Sequence, residues 1–308
     1  MRRYWPLSVF IAIFVYLVIV ANSQPTGRDE VKAQDDAEIE RIISLAPSIT
    51  ETLYSIGLAD QLIAVTDFCN TPINAEPKPT IGAYLDPNLE AIVAMQPDLV
   101  ILLNRQQRVV QQLQQLGIRT LPVNHASLDG ILTSMHDIAA NTGAVEQVSQ
   151  LLASMQARID RVQAMTANQT APSVLLAIAH AGASEQQFGQ IYVAGQHDFY
   201  NDLLKLAGAH NSYQDRRVPV PSLSTEGILR LNPDIIIDLY PASGQHPFNL
   251  DIMHSHWQKL SQVSAIRNDQ LHLIEASYAV IPGPGVVDLL EHIARLIHPQ
   301  LQWTADAD

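Results

Sequence analysis

Apolar residues recur in two rhythms along this 308-residue chain. Continuous runs such as Leu99 to Leu103 (LVILL) are what strands buried on both faces of a parallel sheet look like. Between such runs, apolar side chains return every three or four positions, which predicts one-sided helices. Ile42 to Leu45 is the first short strand. After Pro47 a helix carries Ile49, Leu53 and Ile56 on one face and stops at Gly57. Ser48 followed three residues later by Glu51 reads as a capping box at its start, which gives Glu51 a structural task. The segment QLIAVT is the next strand and leads into the loop DFCNTP. PTIGAYLDPN is a second loop, punctuated by Pro and Gly. LVILL, a helix over VVQQLQQLG ended by Gly117, and the strand IRTLPVN follow. Strands and helices alternating in this way predict a parallel α/β lobe with right-handed crossovers.

From Ala144 to Met165 the rhythm changes. Val145, Val148, Leu152, Met155, Ile159 and Val162 step by three and four without Gly or Pro. That predicts one amphipathic helix of about 22 residues, roughly 33 Å long and stiff enough to join two lobes. The same grammar then restarts: SVLLAIAH as a strand, DFYNDLLKLAG as a helix, the loop DRRVPVPSLS, the strand DQLHLIE, and a last helix from Pro284 to Leu296. The fold class is therefore α/β, with two parallel-sheet lobes joined by one long rigid helix and a cleft between them. The organisation reads as a signal peptide or N-terminal anchor at 1–23 and a polar tether at 24–40. An N-terminal lobe follows at 41–143, then a connecting helix at 144–166 and a C-terminal lobe at 167–308.

One unit occurs twice. LEAIVAMQPDLVIL begins at Leu89, and TEGILRLNPDIIID begins at Thr225. Glu90 and Glu226, Pro97 and Pro233, and Asp98 and Asp234 are each 136 positions apart. In both copies a helix starts after an N-cap candidate, Asn88 or Ser224, with the glutamate at its second position. An acid there complements the positive end of the helix by a few tenths to about 1 kcal/mol. One glutamate per lobe, each at a helix start that follows a long loop, also suits a pair flanking one cleft, because helix N-termini and loops at strand carboxyl ends line such crevices.

Composition narrows the field. Apolar residues make up 47% and charged residues 16%, so the body is globular with a large core. A net charge of −13, with no cluster of Lys or Arg beyond Arg3, argues against nucleic acid and anionic lipid. Arg2 and Arg3, the 15-residue apolar run Leu7 to Ala21, and a candidate cleavage site after Ser23 lay out a secretory signal, with an uncleaved anchor as the alternative. Export to the periplasm is expected either way. Cys69 is the only cysteine, too far from the apolar run for lipidation and unable to form an internal disulfide. The chain lacks a Gly-x-Ser-x-Gly elbow, a Gly-rich phosphate loop and a His-Glu-x-x-His pair, so an exported hydrolase is the weaker reading and no enzyme activity is expected. An adhesion or scaffold protein would carry no pocket.

RIISLAPSITETLYSIGL, GAYLDPNLEAIVAMQPDLVIL, the stiff middle helix, IYVAGQHDFYNDLLKLAGAHN and VPVPSLSTEGILRLNPDIII, taken in this order, resemble the substrate-binding proteins of ABC importers for ferric siderophores, haem and vitamin B12. The similarity runs from Arg41 to Pro299 and is strongest to the cobalamin-binding members. It implies a monomeric periplasmic receptor with cargo between two lobes. It also implies that Glu90 and Glu226 dock on arginines of the permease, where charge-assisted and bidentate pairs are directional.

The same resemblance places Phe68, Tyr84, Tyr192, Val220 and Tyr278 on loops facing the cleft. Four of these five are aromatic, as suits a large flat ligand. Val220, and the replacements around Ser277 and Ile281, depart from the cobalamin pattern, so ferric siderophore, haem and cobalamin all remain candidate cargo. Tyr84 or Tyr278 could ligate haem iron. Arg216 and Arg217 suit an anionic chelate or a solvated turn. Cys69 reads as a small apolar filler, and HSHW at His254 to Trp257, with His246 upstream, reads as a surface loop rather than a metal site. No resident metal or cofactor is expected.

Overall fold

The computed structural model describes residues 38–69, 75–182, 187–242 and 250–303. The N-terminal apolar segment, most of the polar tether and His246 lie outside the described residues. The body from Glu40 onward is one compact unit.

Four parallel strands form the first sheet: β1 (Ile42–Ser44), β2 (Leu62–Val65), β3 (Leu99–Leu103) and β4 (Thr120–Val123), in the order β2-β1-β3-β4. All five residues of β3 are buried, as its unbroken apolar run requires at the centre of a sheet covered on both faces. Helices α1 (Pro47–Ser55), α2 (Leu89–Ala94), α3 (Gln107–Gln115) and α4 (Leu128–Thr142) connect and cover these strands. Helix α5 (Val145–Thr166) has 22 residues and buries Val148, Met155, Ile159 and Val162, while Val145 at its first turn is exposed. It packs against α4 on one side and against α6 and α10 on the other.

The second sheet follows α5. It contains β5 (Ser173–Ala181), β6 (Gln190–Val193), β7 (His210–Asn211), β8 (Ser222–Leu223), β9 (Ile235–Tyr240) and β10 (Leu271–Glu275), ordered β10-β9-β5-β6-β8 with β7 beside the start of β5. Strands β10, β9, β5 and β7 are parallel, whereas β6 runs antiparallel to both its neighbours, β5 and β8. Its helices are α6 (Phe199–Leu206), α7 (Thr225–Leu231), α8 (Leu250–Gln258), α9 (Ser264–Arg267) and α10 (Val286–Ile297).

Three local expectations are overturned. The capping box at Ser48 does not form: α1 is capped at Ala46 with Pro47 in its first turn, and Ser48 Oγ instead meets His125 Nδ1 at 2.8 Å. The HSHW segment is not a surface loop but part of α8, with His256 and Trp257 only 1% and 0% exposed. Trp257 is held there because its indole N–H donates to Asp238 on β9 at 2.7 Å. Tyr192 stands in β6, opposite Ala179 and Ser222, and not in a loop.

The duplicated unit is real at the level of hydrogen bonds. Asn88 Oδ1 accepts the amide of Ala91 and Ser224 Oγ accepts that of Gly227, so both helices are capped by the same device. Each then ends in a residue at positive φ, Gln96 at 46° and Asn232 at 42°, again 136 positions apart. Asp98 accepts the amides of Glu40 and Arg41 ahead of β1, and Asp234 accepts the amide of Ser173 at the start of β5. In both lobes the unit closes by fastening its strand to the neighbouring one.

Candidate ligand cleft and docking carboxylates

Two hydrogen bonds between described residues link the lobes. At one, the amide of Leu128, entering α4, donates to Asp202 on α6 at 3.2 Å. At the other, Glu51 on α1 accepts the amide of Gly285, just ahead of α10, at 2.9 Å. Segments following the carboxyl ends of β1, β4 and β10 thus meet across the lobes, where parallel α/β units place their binding crevices.

Beside the first contact lies a cavity of about 390 Å³ lined by Ala126 and Ser127 of the N-terminal lobe and by Gln196, His197, Asp198, Asp202, Lys205 and Arg216 of the other. Its volume is within the roughly 300 to 1,000 Å³ usual for small-molecule sites, and its lining is polar. Asp198 caps α6 by accepting the amide of Tyr200 at 3.2 Å; burial pushes its carboxyl up to about 6, against the pull of that amide and of Arg105. Arg105, in the loop after β3, donates to the Tyr84 hydroxyl at 2.6 Å and lies 5.4 Å from the centre of the Tyr84 ring, while Gln106 donates to the Tyr84 carbonyl. His125, after β4, is bound on both ring nitrogens: Nδ1 by Ser48 Oγ and Nε2 by Ser134 Oγ, each at 2.8 Å. Ser134 Oγ donates onward to the Ile131 carbonyl, so it accepts from Nε2–H, and Nδ1 accepts from Ser48. That is the neutral ring, and burial followed by the charge of Arg105 holds its pKa down at about 4.

A larger cavity, about 810 Å³, lies between α5 and α10 and is lined by Arg158, Tyr278, Asp288, Glu291, His292, Arg295 and Leu296. Arg158 bridges the connecting helix to the C-terminal lobe through Asp288 at 2.6 Å and through both oxygens of Glu291 at 2.9 and 2.8 Å. Tyr278, in a 3₁₀ turn, reaches His292 Nδ1 at 3.1 Å.

The five expected cleft residues are therefore not gathered around one of these cavities. Tyr278 lines the larger one, and Tyr84 is committed to Arg105. Phe68 is 66% exposed after β2, and Val220 is 41% exposed in the loop that also carries Arg216. Arg216 faces the smaller cavity, whereas Arg217 is paired with Asp215 inside its own turn. Cys69 lies against Thr66, with Sγ and Oγ1 3.1 Å apart. The residues that sequence reasoning missed are Arg105, His125 and Asp198. Only Arg105, the first charge beyond an unbroken apolar strand, left a visible signal. Glu90 and Glu226 are both exposed in first turns of capped helices, and among the described residues neither carboxylate is tied to a partner. No group of three or more His, Cys, Asp or Glu among the described residues could hold a metal ion.

Two α/β lobes, a single long connecting helix and a polar cavity between the lobes define a two-lobed binding protein. The chain belongs to the periplasmic binding protein family, whose model matches residues 42–278. It is 30% identical over 231 residues to the vitamin B12-binding protein of Pectobacterium carotovorum, covering 74% of this chain and 79% of that one. It is 26% identical to the ABC transporter substrate-binding lipoprotein YvrC of Bacillus subtilis, covering 89% and 86%. The crystal structure of the periplasmic vitamin B12 binding protein BtuF of Vibrio cholerae superposes with a TM-score of 0.72 at 25% identity, covering 86% of this chain and all but 1% of that one, at 99%. Among the described residues no helix is long and apolar enough to cross a membrane.

Proposed function

We propose that the chain is an exported receptor that captures a metal chelate between its lobes and delivers it to the permease of an ABC importer through Glu90 and Glu226. The observation that carries the docking half is their equivalence: an exposed carboxylate in each copy of the duplicated unit, without a partner among the described residues and on the second residue of a side-chain-capped helix. Free exposed carboxylates at helix starts are available for charge-assisted pairs with arginine without first breaking a pair of their own. The cargo half is supported by the family and by the polar cavity lined from both lobes. The class is a ferric siderophore, haem or a corrinoid, with Phe68, Tyr84, Tyr192, Val220 and Tyr278 as contact residues. Arg105, His197 and Arg216 add polar groups that suit the carboxylate or amide fringe of such ligands. The N-terminal apolar segment serves as a signal peptide or inner-membrane anchor, and the receptor acts as a monomer.

Extraction of the protein from the compartment it is exported to, followed by absorbance and mass spectrometry of the bound material, tests the cargo. A corrin, haem or ferric-chelate spectrum is expected; a protein that takes up none of the three on titration overturns the reading.

A further inference from the structure

Glu51 is the one carboxylate of α1, and it crosses to the other lobe. Its Oε1 accepts the Gly285 amide at 2.9 Å, and its Oε2 is buried among the described residues with no hydrogen-bond partner. The receiving turn is shaped around it. A Cβ at Gly283 would stand 2.4 Å from Oε2, and one at Gly285 would stand 2.9 Å from Oε1 and 2.8 Å from Tyr278 Cβ. Only residues without a side chain let the turn approach so closely. Neither permease docking nor the expected cargo contacts use this contact.

We propose that Glu51 is a proton-operated latch between the lobes: protonated, it seats against the Gly283–Gly285 turn and holds the cleft closed; ionised, it releases that turn and lets the lobes part. This deepens the receptor reading and rests on it, since it assigns regulation to the same cleft. The physical reason is the asymmetry of the pocket. A carboxylate there has one amide donor for two oxygens, so the second oxygen would carry charge in a dry site, which costs far more than burying a neutral carboxyl.

The surrounding charges agree. Asp288 on α10 faces Glu51 and repels its ionised form, although Arg158 from α5 is bound to Asp288 and to Glu291 and offsets part of that field. Tyr278 sits beside Gly285, and His125 is attached to Ser48 one turn earlier on α1; both are neutral, the first with its pKa raised and the second with its pKa lowered. Burial is the largest influence on Glu51 and lifts it to about 7, with the Gly285 amide pulling it down and Asp288 pushing it up. When the lobes part, the carboxyl meets water and returns to ordinary acidity, giving up its proton to solvent. The closed form therefore gains at low pH and loses as pH rises from the ordinary carboxylate value through 7, by on the order of a hundredfold in the closing equilibrium.

The test uses the free full-length protein, so its failure is separable from failure of the cargo assignment, which only titration with chelates reads. Carbon-detected NMR of the Glu51 carboxyl is expected to give a midpoint near 7. Amide exchange at Gly285, corrected for its intrinsic rate, is expected to lose tenfold or more of its protection between pH 5 and 8 in the wild type and to keep it in Glu51→Gln, which preserves the acceptor without the charge. A Glu51 titrating in the ordinary carboxylate range overturns the proposal without requiring any variant to fold. Wild-type protection that does not change with pH, or a fall equally large in Glu51→Gln, overturns it as well.

Discussion

Asp234 takes both hydrogens that Ser173 has to give, the amide at 2.9 Å and the hydroxyl at 2.8 Å, and so fastens the start of β9 to the start of β5. Asp98 takes two amides ahead of β1 in the same way. The duplicated Pro-Asp step is thus a strand-pairing device first, whereas the exposed glutamate at the other end of the unit has no such structural tie among the described residues. These hydrogen bonds hold the Asp234 carboxyl below the usual carboxylate range. Its contribution is then present above that range and lost on acidification below it. Because the pair is near the surface, Asp234→Ala should cost only about 1 kcal/mol at neutral pH. Urea titrations at pH 7 and at pH 3 check this, and the gap between variant and wild type should shrink at the lower pH.

Removing both carboxylates proposed for docking should separate capture from delivery. Glu90→Ala with Glu226→Ala leaves the N-caps Asn88 and Ser224 in place, so each loses only a helix-end interaction, about 0.3 to 1 kcal/mol. Cargo affinity is expected to be unchanged while permease-dependent uptake is abolished. Transport at the wild-type rate by the double variant would exclude these residues as the contact.

The two arginines of the DRRV turn should behave differently. Arg217 is already engaged by Asp215, whereas Arg216 faces the interlobe cavity. For an anionic chelate, Arg216→Ala is expected to weaken binding by about tenfold or more, the scale of one charge-assisted hydrogen bond, and Arg217→Ala to leave it nearly unchanged. Isothermal titration with the identified cargo distinguishes them.

The C-terminal lobe holds a buried carboxylate that its sequence context hides. Asp238 is 0% exposed in β9 and accepts from Trp257 Nε1 at 2.7 Å, from the Tyr240 hydroxyl at 2.6 Å and from His180 Nε2 at 2.9 Å. Removing it strands three donors in a dry core. Asp238→Ala is therefore expected to cost about 3 to 5 kcal/mol, and Tyr240→Phe, which removes one donor, about 1 kcal/mol. Chemical denaturation measures both, and equal costs would show that the cluster is not held together by the carboxylate.

That cluster also marks the limit of what a local sequence pattern carries. Strands β1, β3 and β9 and the long helix α5 announce themselves, because an unbroken apolar run or a repeated three-four step is a local signal of burial. The duplicated caps at Asn88 and Ser224 were legible for the same reason. What was not legible depends on partners far along the chain. Ser48 looked like a cap because its hydroxyl had no visible competitor, yet His125, 77 positions later, takes it. His256 and Trp257 looked like a polar loop because Asp238, the group that draws the indole inward, lies in another element. Glu51 looked finished locally, and its real partner, Gly285, is 234 positions away. The residues proposed for cargo contact fall between these cases: Tyr84 and Tyr278 could be singled out by type and position, but not their commitment to Arg105 and His292.

Two buried groups near the junction should oppose each other in the dependence of global stability on pH. His125 is held neutral with its pKa near 4, against an ordinary 6.5, so its contribution is complete above 6.5 and is lost as pH falls toward 4, by at most about 3 kcal/mol. Glu51 has the reverse sign: with its pKa near 7 against an ordinary 4.5, its contribution is complete below 4.5 and is lost as pH rises toward 7. Between 4.5 and 6.5 the two slopes nearly cancel, so these groups together should leave the wild type close to flat there. Glu51→Gln removes one slope and should reveal stability that falls on acidification. His125→Gln removes the other, leaving stability that rises on acidification. Thermal unfolding at half-unit pH steps reads both, and variants that keep the wild-type profile would show that neither group titrates across this window.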